Sequence, residues 1–561
     1  MPTTTRTPRK PLRDFREHMS YWSYGGLVGA TILLLASMTP SLLPRSWYFQ
    51  AVISGGAAAV GYGLGVFITW LARYMIGRDE PWPRPQKFWW WGLAFVAAID
   101  AIVMAYWCVH WQNQIRDLMS VERLGNPLLA VAAMLALTLV VFLLFVYIGK
   151  LWARAVVWLV RLLRSFIPAR IATVAGGAIA LVLTVMLVNG VLVDNIMKVL
   201  NSSFAAANNE TKPDTVAPTS PLRSGGPGST VSWSSLGREG RTNMGTGPTV
   251  EQLTEFNGTP AMQPIRVYAG LDTAPTLSDI ADAAVRELER TGGLQRKVIA
   301  VGSSTGSGWL NKGYIDSLEY MYNGDSALVS MQYSYLPSWI SFLVDKERAR
   351  QAGIQLFEKV SAKVRTLPEG QRPKLVVFGE SLGSFAGESP FGSIPTIAAR
   401  TDGALFSGPT FNNQLWLDTV RGREKGTPEV LPIYQNGAQV RFIATEKDLD
   451  RPNAPWTPDE RLAYIQHPSD PITWFNPNLL FKQPDWLKEP RGRDVLPVVR
   501  WIPVVTFLQV SADMAVATHV PDGHGHSYLR AIPFAWNKIL QPAGWTDEKT
   551  ERLLPRLSTD D

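Results

Sequence analysis

The sequence predicts an all-α transmembrane bundle of about five helices followed by an α/β domain with a mainly parallel sheet. Three observations point there. Nearly all the long apolar runs lie in the first two hundred of the 561 residues. Beyond Pro264 short apolar runs alternate with longer helical stretches, the pattern of βα units. Directly behind one of those runs, Lys374 to Phe378, stands Gly379-Glu380-Ser381-Leu382-Gly383, with the small-residue stretch Ser384 to Glu388 after it, so that strand, sharp turn and helix follow in order. The division expected is 1–200 for the helical part, 201–230 for a flexible linker and 231–561 for the α/β domain.

Five segments are long enough to cross a bilayer, which takes about twenty helical residues: 22–43, 49–71, 88–109, 127–149 and 171–193. The first is too long for a cleavable signal and lacks a small-residue exit, so it reads as an anchor. Positive charge alternates between the connecting segments. Arg6, Arg9, Lys10, Arg13 and Arg16 precede the first span, and Arg45 alone follows it; Arg73, Arg78, Arg84 and Lys87 come next. Arg116 and Arg123 are partly offset by Asp117 and Glu122, and Lys150, Arg154, Arg161, Arg164 and Arg170 precede the fifth span. The positive-inside rule then expects a multi-pass protein of the cytoplasmic membrane, with a cytoplasmic amino terminus and the α/β domain outside. Trp47, Trp89, Trp90, Trp91, Trp107 and Trp111 fall near predicted helix ends, where an aromatic ring with a polar handle fixes depth. Asp100 and Asn189 lie within spans and should face protein and find a partner.

From Asn201 to about Gly228 the chain is rich in Asn, Thr, Ser, Pro and Gly, the composition of a spacer. Strands are expected at 297–301, 327–333, 374–378, 404–407, 440–444 and 462–466, with helices at 277–291 and 346–366. The single cysteine, Cys108, excludes an intrachain disulfide and a cysteine-based metal site. The formal charge of +7 gathers beside the apolar segments rather than in one aromatic-interleaved stripe, which argues for a membrane and against nucleic acid.

Glycines on both sides of Ser381 permit a strained turn that lifts the hydroxyl clear of the sheet at the start of a helix. A second Gly-x-Ser-x-Gly, Gly302 to Gly306 around Ser304, continues Ser307-Gly308 and makes a poor helix start, so Ser381 is the expected nucleophile and Ser304 a loop residue. A serine needs a base, and histidine suits neutral pH. Of six histidines, His18, His110 and His467 are ill placed in chain order or topology. That leaves His519, His524 and His526, all in the late loop Thr518 to Tyr528, where the base is expected at His524 or His526, with His524 taken first. The orienting acid falls between serine and histidine in such chains; Asp470 follows the strand at 462–466, and Asp448 and Asp450 stand in reserve. The tetrahedral oxyanion needs fixed donors: the amide of Leu382 and the loop containing Ser304, Thr305 and Gly306. His524 and His526 lack enough nearby ligands for a metal, since Asp522 alone leaves the site incomplete, and no cofactor motif is present: Gly302 to Gly308 lacks the Gly-Lys-Ser/Thr ending of a phosphate cradle.

Thr39 to Arg45, Ser304 to Trp309, Gly379 to Gly383, Ser469-Asp470-Pro471, Glu489-Pro490-Arg491-Gly492 and Gly523 to His526 together resemble the membrane-anchored α/β-hydrolases with a multi-helix amino-terminal region, found especially in actinobacteria. The resemblance implies an α/β-hydrolase fold and a serine esterase or acyltransferase, without a secure substrate. The expected partners are a lipid or acyl-ester substrate of the envelope and the membrane. Between Asp470 and His524 lie Trp474, Phe475, Leu479, Leu480, Phe481, Trp486, Trp501 and Phe507, which suit an acyl-chain lid, the core of an enlarged domain or a face resting on the membrane. The rival reading is a transport or scaffold protein with a non-catalytic outer domain, supported by Asp100.

Overall fold

The structure, a computed structural model, describes residues 22–78, 82–83, 85–166, 169–186, 194–457 and 461–557. Arg6, Arg9, Lys10, Arg13, Arg16, His18, Arg84 and Asn189 lie outside the described residues. The chain forms two compact units. One comprises residues 1–197 with 477–483 and 496–516; the other holds 198–476, 484–495 and 517–561.

In the first unit the helices Trp47–Met75, Lys87–Leu118 and Pro127–Leu163 are long and apolar enough to cross a membrane. Among the described residues, the helices in the first and fifth expected spans are shorter, Tyr24–Ser37 with 14 residues and Ala169–Met186 with 18. The first stops early because Pro40 disfavours helical backbone at Thr39. Tyr24–Ser37 packs closely on Trp47–Met75: a Cβ on Gly29, Gly61 or Gly65 would stand 2.3, 2.2 or 2.1 Å from a carbonyl oxygen of the facing helix. Small residues at four-residue spacing let two helix backbones approach this closely. Trp47, Trp89, Trp91 and Trp107 are exposed. Asp100 is half-buried on Lys87–Leu118.

The loop after the first helix is organised by a buried ion pair. Arg45 Nε donates to Asp513 Oδ1 at 2.6 Å, and both side chains are almost fully buried. Ser41 Oγ and the Leu42 amide donate to the other carboxylate oxygen at 2.5 and 3.2 Å. Arg45 also donates to Gln50 and to the Gln509 carbonyl, and Gln509 Nε2 donates to the Thr39 carbonyl at 2.8 Å. Asp513 and Gln509 belong to the helix Val505–Asp513. Thus part of the aromatic insertion, expected within a single 231–561 domain, packs with the amino-terminal helices, and Arg45, expected as a lone loop charge, is a buried partner.

The second unit is built on a seven-stranded, wholly parallel sheet in the order β1-β3-β2-β4-β5-β7-β6. The strands are β1 Ile265–Ala269, β2 Val298–Ser303, β3 Ser326–Met331, β4 Lys374–Glu380, β5 Gly403–Ser407, β6 Val440–Ile443 and β7 Leu462–Ile465. Apart from Lys374 every strand residue is buried, as in a sheet covered on both faces. Helix Lys346–Arg365 packs with Leu277–Arg290 and Leu382–Glu388, and Lys312–Met321 packs with Ala531–Leu540.

β1 was not expected from sequence, because Arg266 breaks its apolar run. That guanidinium is fully buried, 2.6 Å from Asp316 and 2.7 Å from Glu319. Part of the stretch read as a flexible linker is packed along this edge strand. The Arg266 amide donates to the Leu222 carbonyl, the Ser224 amide to the Arg266 carbonyl, and the Tyr268 amide to Ser224 Oγ. An edge strand has unpaired donors and acceptors to satisfy, and this segment supplies them.

Candidate active site

Chemistry in a parallel α/β sheet gathers at the carboxyl ends of the strands. β4 is followed directly by Ser381, which adopts φ 57° and ψ −123°, a strained conformation for a residue with a Cβ. Its amide is tied to the Ser407 carbonyl at 2.9 Å. The flanking glycines make the turn possible by close approach. A Cβ on Gly379 would stand 2.2 Å from the Gly383 carbonyl oxygen, and one on Gly383 would stand 2.3 Å from that of Ser303. Ser304, in the second Gly-x-Ser-x-Gly, lacks the positive φ, and its hydroxyl donates to the Met331 carbonyl at 2.7 Å.

Asp470 follows β7 and caps the short helix Pro471–Trp474. Its Oδ1 accepts from the Ile472 amide at 2.8 Å; Oδ2 accepts from Thr473 Oγ1 at 2.9 Å, from the Tyr528 hydroxyl, and from His526 Nδ1 at 2.7 Å. The carboxylate therefore meets His526 rather than His524, the histidine taken first from the sequence. His526 is seated on Gly408, just past β5, where φ is 52° and a Cβ would stand 2.2 Å from His526 Cε1. Its amide donates to the Ala517 carbonyl at 2.8 Å. With Nδ1 donating to Asp470, the proton-free nitrogen is Nε2, which is buried and has no hydrogen-bond partner among the described residues.

The electrostatics are those of a poised pair. Burial disfavours the imidazolium, but the charge and hydrogen bond of Asp470, with a contribution from Glu380, outweigh it and raise the His526 pKa. Burial likewise pushes Asp470 up, while His526, Tyr528 and the Ile472 amide bring its carboxyl below the usual range. Glu380, next to Ser381, accepts from Asn311 Nδ2 at 2.9 Å and Ser407 Oγ at 3.1 Å, and its burial raises its pKa.

His524 Nδ1 lies 3.2 Å from Asp494 Oδ2 instead. The reserve acids serve elsewhere: Asp448 accepts from the Ala444 and Thr445 amides, and Asp450 pairs with Lys538. Asp522, weighed as a metal ligand, accepts from the Arg530 amide. In the loop after β2, the Thr305 amide donates to the Trp309 carbonyl at 3.0 Å and Gly306 is pressed against the Leu336 carbonyl. Leu382, fully buried, opens the helix Leu382–Glu388, where first-turn amides have no partner inside the helix. Sequence reasoning missed Glu380, Gly408, Asp494 and Tyr528. Two signals were present: the Gly523 to Tyr528 loop holds an aromatic hydroxyl two residues past His526, and Asp494 closely follows Glu489-Pro490-Arg491-Gly492.

The alpha/beta-hydrolase family matches residues 265–553, and the N-terminus of an alpha/beta-hydrolase family matches residues 38–248. No curated protein and no solved structure matches the chain. The first match alone covers more than half of the chain and contains Ser381, Asp470 and His526, so the chain belongs to the α/β-hydrolase family.

Proposed function

We propose that the protein is a serine hydrolase of carboxylic esters, or an acyltransferase, in which Ser381 is the nucleophile, His526 the base and Asp470 the orienting acid. The observation that carries this reading is the strained Ser381 turn, together with an imidazole whose Nδ1 is held by Asp470 and whose Nε2 has no partner among the described residues. Ser381 Oγ attacks the acyl carbonyl as Nε2 takes its proton. The oxyanion forms against the Leu382 amide and an amide of the 304–306 loop, where Ser304 and Gly306 are favoured because the Thr305 amide is engaged within its own turn. The imidazolium then protonates the leaving alcohol, and water or an acceptor hydroxyl repeats the sequence in reverse on the acyl-enzyme.

The substrate class we favour is an acyl lipid or acylated envelope component at the outer face of the cytoplasmic membrane. Its support is the three membrane-length helices and the charge alternation between the apolar segments. The test is turnover of p-nitrophenyl esters of graded acyl length by the full chain in detergent micelles. Wild type should hydrolyse at least one, and Ser381→Ala and His526→Ala should lose turnover by at least about a thousandfold. Turnover that survives Ser381→Ala would refute the assignment.

A further inference from the structure

The segment following Glu489-Pro490-Arg491-Gly492 has no part in the proposed reaction, yet it places a second buried carboxylate beside the first. Asp494 Oδ2 accepts from Ser469 Oγ at 2.5 Å and from His524 Nδ1 at 3.2 Å, while its Oδ1 has no hydrogen-bond partner among the described residues. Ser469 is the residue before Asp470. Its Oγ accepts from the amide of Gly525, the residue before His526, at 2.8 Å. A serine hydroxyl has a single proton; with that proton directed at Asp494, its lone pairs are free for Gly525. Two further bonds fix the same loop: His467 Nδ1 donates to the Gly525 carbonyl at 2.9 Å and Arg493 Nη2 to the Gly523 carbonyl at 2.6 Å.

We propose that His524, Asp494 and Ser469 form a positioning relay that holds the His526 loop in register with Asp470. His524 fixes the Asp494 carboxylate, Asp494 sets the Ser469 hydroxyl, and Ser469 ties together the residues preceding the proposed acid and base. Burial pushes the Asp494 carboxyl up, but the His524 and Ser469 hydrogen bonds and nearby Arg493 bring it below the usual range, so it accepts as a carboxylate at neutral pH. His467 stacks on Tyr528 with ring centroids 4.4 Å apart, and burial lowers its pKa to about 4, so it stays neutral and keeps its Nδ1 proton for Gly525. Two histidines separated by one glycine thus carry different duties: His526 moves the proton and His524 holds the loop that aims it.

This inference rests on the reading of Ser381, His526 and Asp470 given above, and the experiment separates the two. The full chain in micelles is assayed for kcat and KM on a soluble ester. His524→Ala and Ser469→Ala should each lower kcat about ten- to a hundredfold with KM within about twofold, the size of effect expected when a reacting group is displaced by about 1 Å. His524→Asn places an amide N–H where Nδ1–H stands and should recover kcat to within about threefold of wild type. Unchanged kcat in both alanine variants would overturn the relay. Equal inactivity of His524→Asn and His524→Ala would also overturn it, because a ring nitrogen would then be taking part in the chemistry. Full activity of His526→Ala would instead sink the underlying assignment.

Discussion

Replacing Asp470 by asparagine removes one charge and leaves nearly the same shape, so it isolates what the carboxylate does. In the native site the imidazole becomes positively charged at the transition state with Asp470 Oδ2 2.7 Å from Nδ1, both groups fully buried. Taking a separation of about 4 Å between charge centres and an effective dielectric of about 20, the attraction is worth about 4 kcal/mol. That is about a thousandfold in rate. An amide presents either an N–H, which favours the tautomer with its proton on Nε2, or a neutral oxygen that orients the ring without its charge. Loss of orientation carries the expected effect toward about ten-thousandfold in kcat. The same substitution should move the pH profile. The His526 pKa is raised, so its imidazole is protonated and idle as a base up to a midpoint above 6.5, and wild-type kcat/KM should climb through that midpoint. Without Asp470 the midpoint should fall. The assay is kcat/KM on a soluble ester between pH 5 and 9, with far-ultraviolet circular dichroism to establish folding. A folded Asp470→Asn protein within tenfold of wild type, or with an unmoved acid limb, would show that the Asp470 charge does not act on His526.

Other outcomes follow from neighbouring contacts. Gly408→Ala adds a methyl 2.2 Å from His526 Cε1 at a residue with φ 52°, and should cost about a hundredfold in kcat by displacing the ring; activity near wild type would contradict the seating of His526. Asp513→Leu or Arg45→Met alone leaves a buried charge and should destabilise the helical unit by about 3–5 kcal/mol, whereas the double substitution should recover most of the loss, as read by thermal unfolding in detergent. The His526–Asp470 pair should stabilise the fold most at pH between 3.8 and 6.5. A raised histidine pKa contributes fully below 6.5 and is lost as pH rises through the folded value; a lowered carboxyl pKa contributes above 3.8 and is lost as pH falls through the folded value. In Asp470→Asn this pH-dependent component of the unfolding free energy should disappear.

Ser381 was readable because its motif has a mechanical cause: each glycine abuts a backbone oxygen, and a strand leads into the turn. The strands that hold the site were legible from short apolar runs, whereas β1 was hidden by Arg266, whose acceptable burial depends on Asp316 and Glu319 some fifty residues away. The histidine choice could not be made locally. His524 and His526 share one glycine-spaced loop, and each has a carboxylate; only the fold shows which of the two histidines meets Asp470. Asp494 reaches its place through a loop with no periodicity to read. The partition of the late insertion depended on tertiary pairing as well, since the Arg45–Asp513 bond joins residues 468 positions apart. The three membrane-length helices were legible as apolar runs, but the length of the first helix, Tyr24–Ser37, was set by Pro40 and by the polar contacts of the loop after it.

The most direct measurement is covalent: treat the full chain in micelles with a fluorophosphonate, digest it, and locate the adduct by mass spectrometry. The expected result is a single phosphonylated residue, Ser381, whose modification slows sharply in Asp470→Asn and His526→Ala. An adduct on Ser304, or labelling of Ser381 at an unchanged rate without His526, would contradict it.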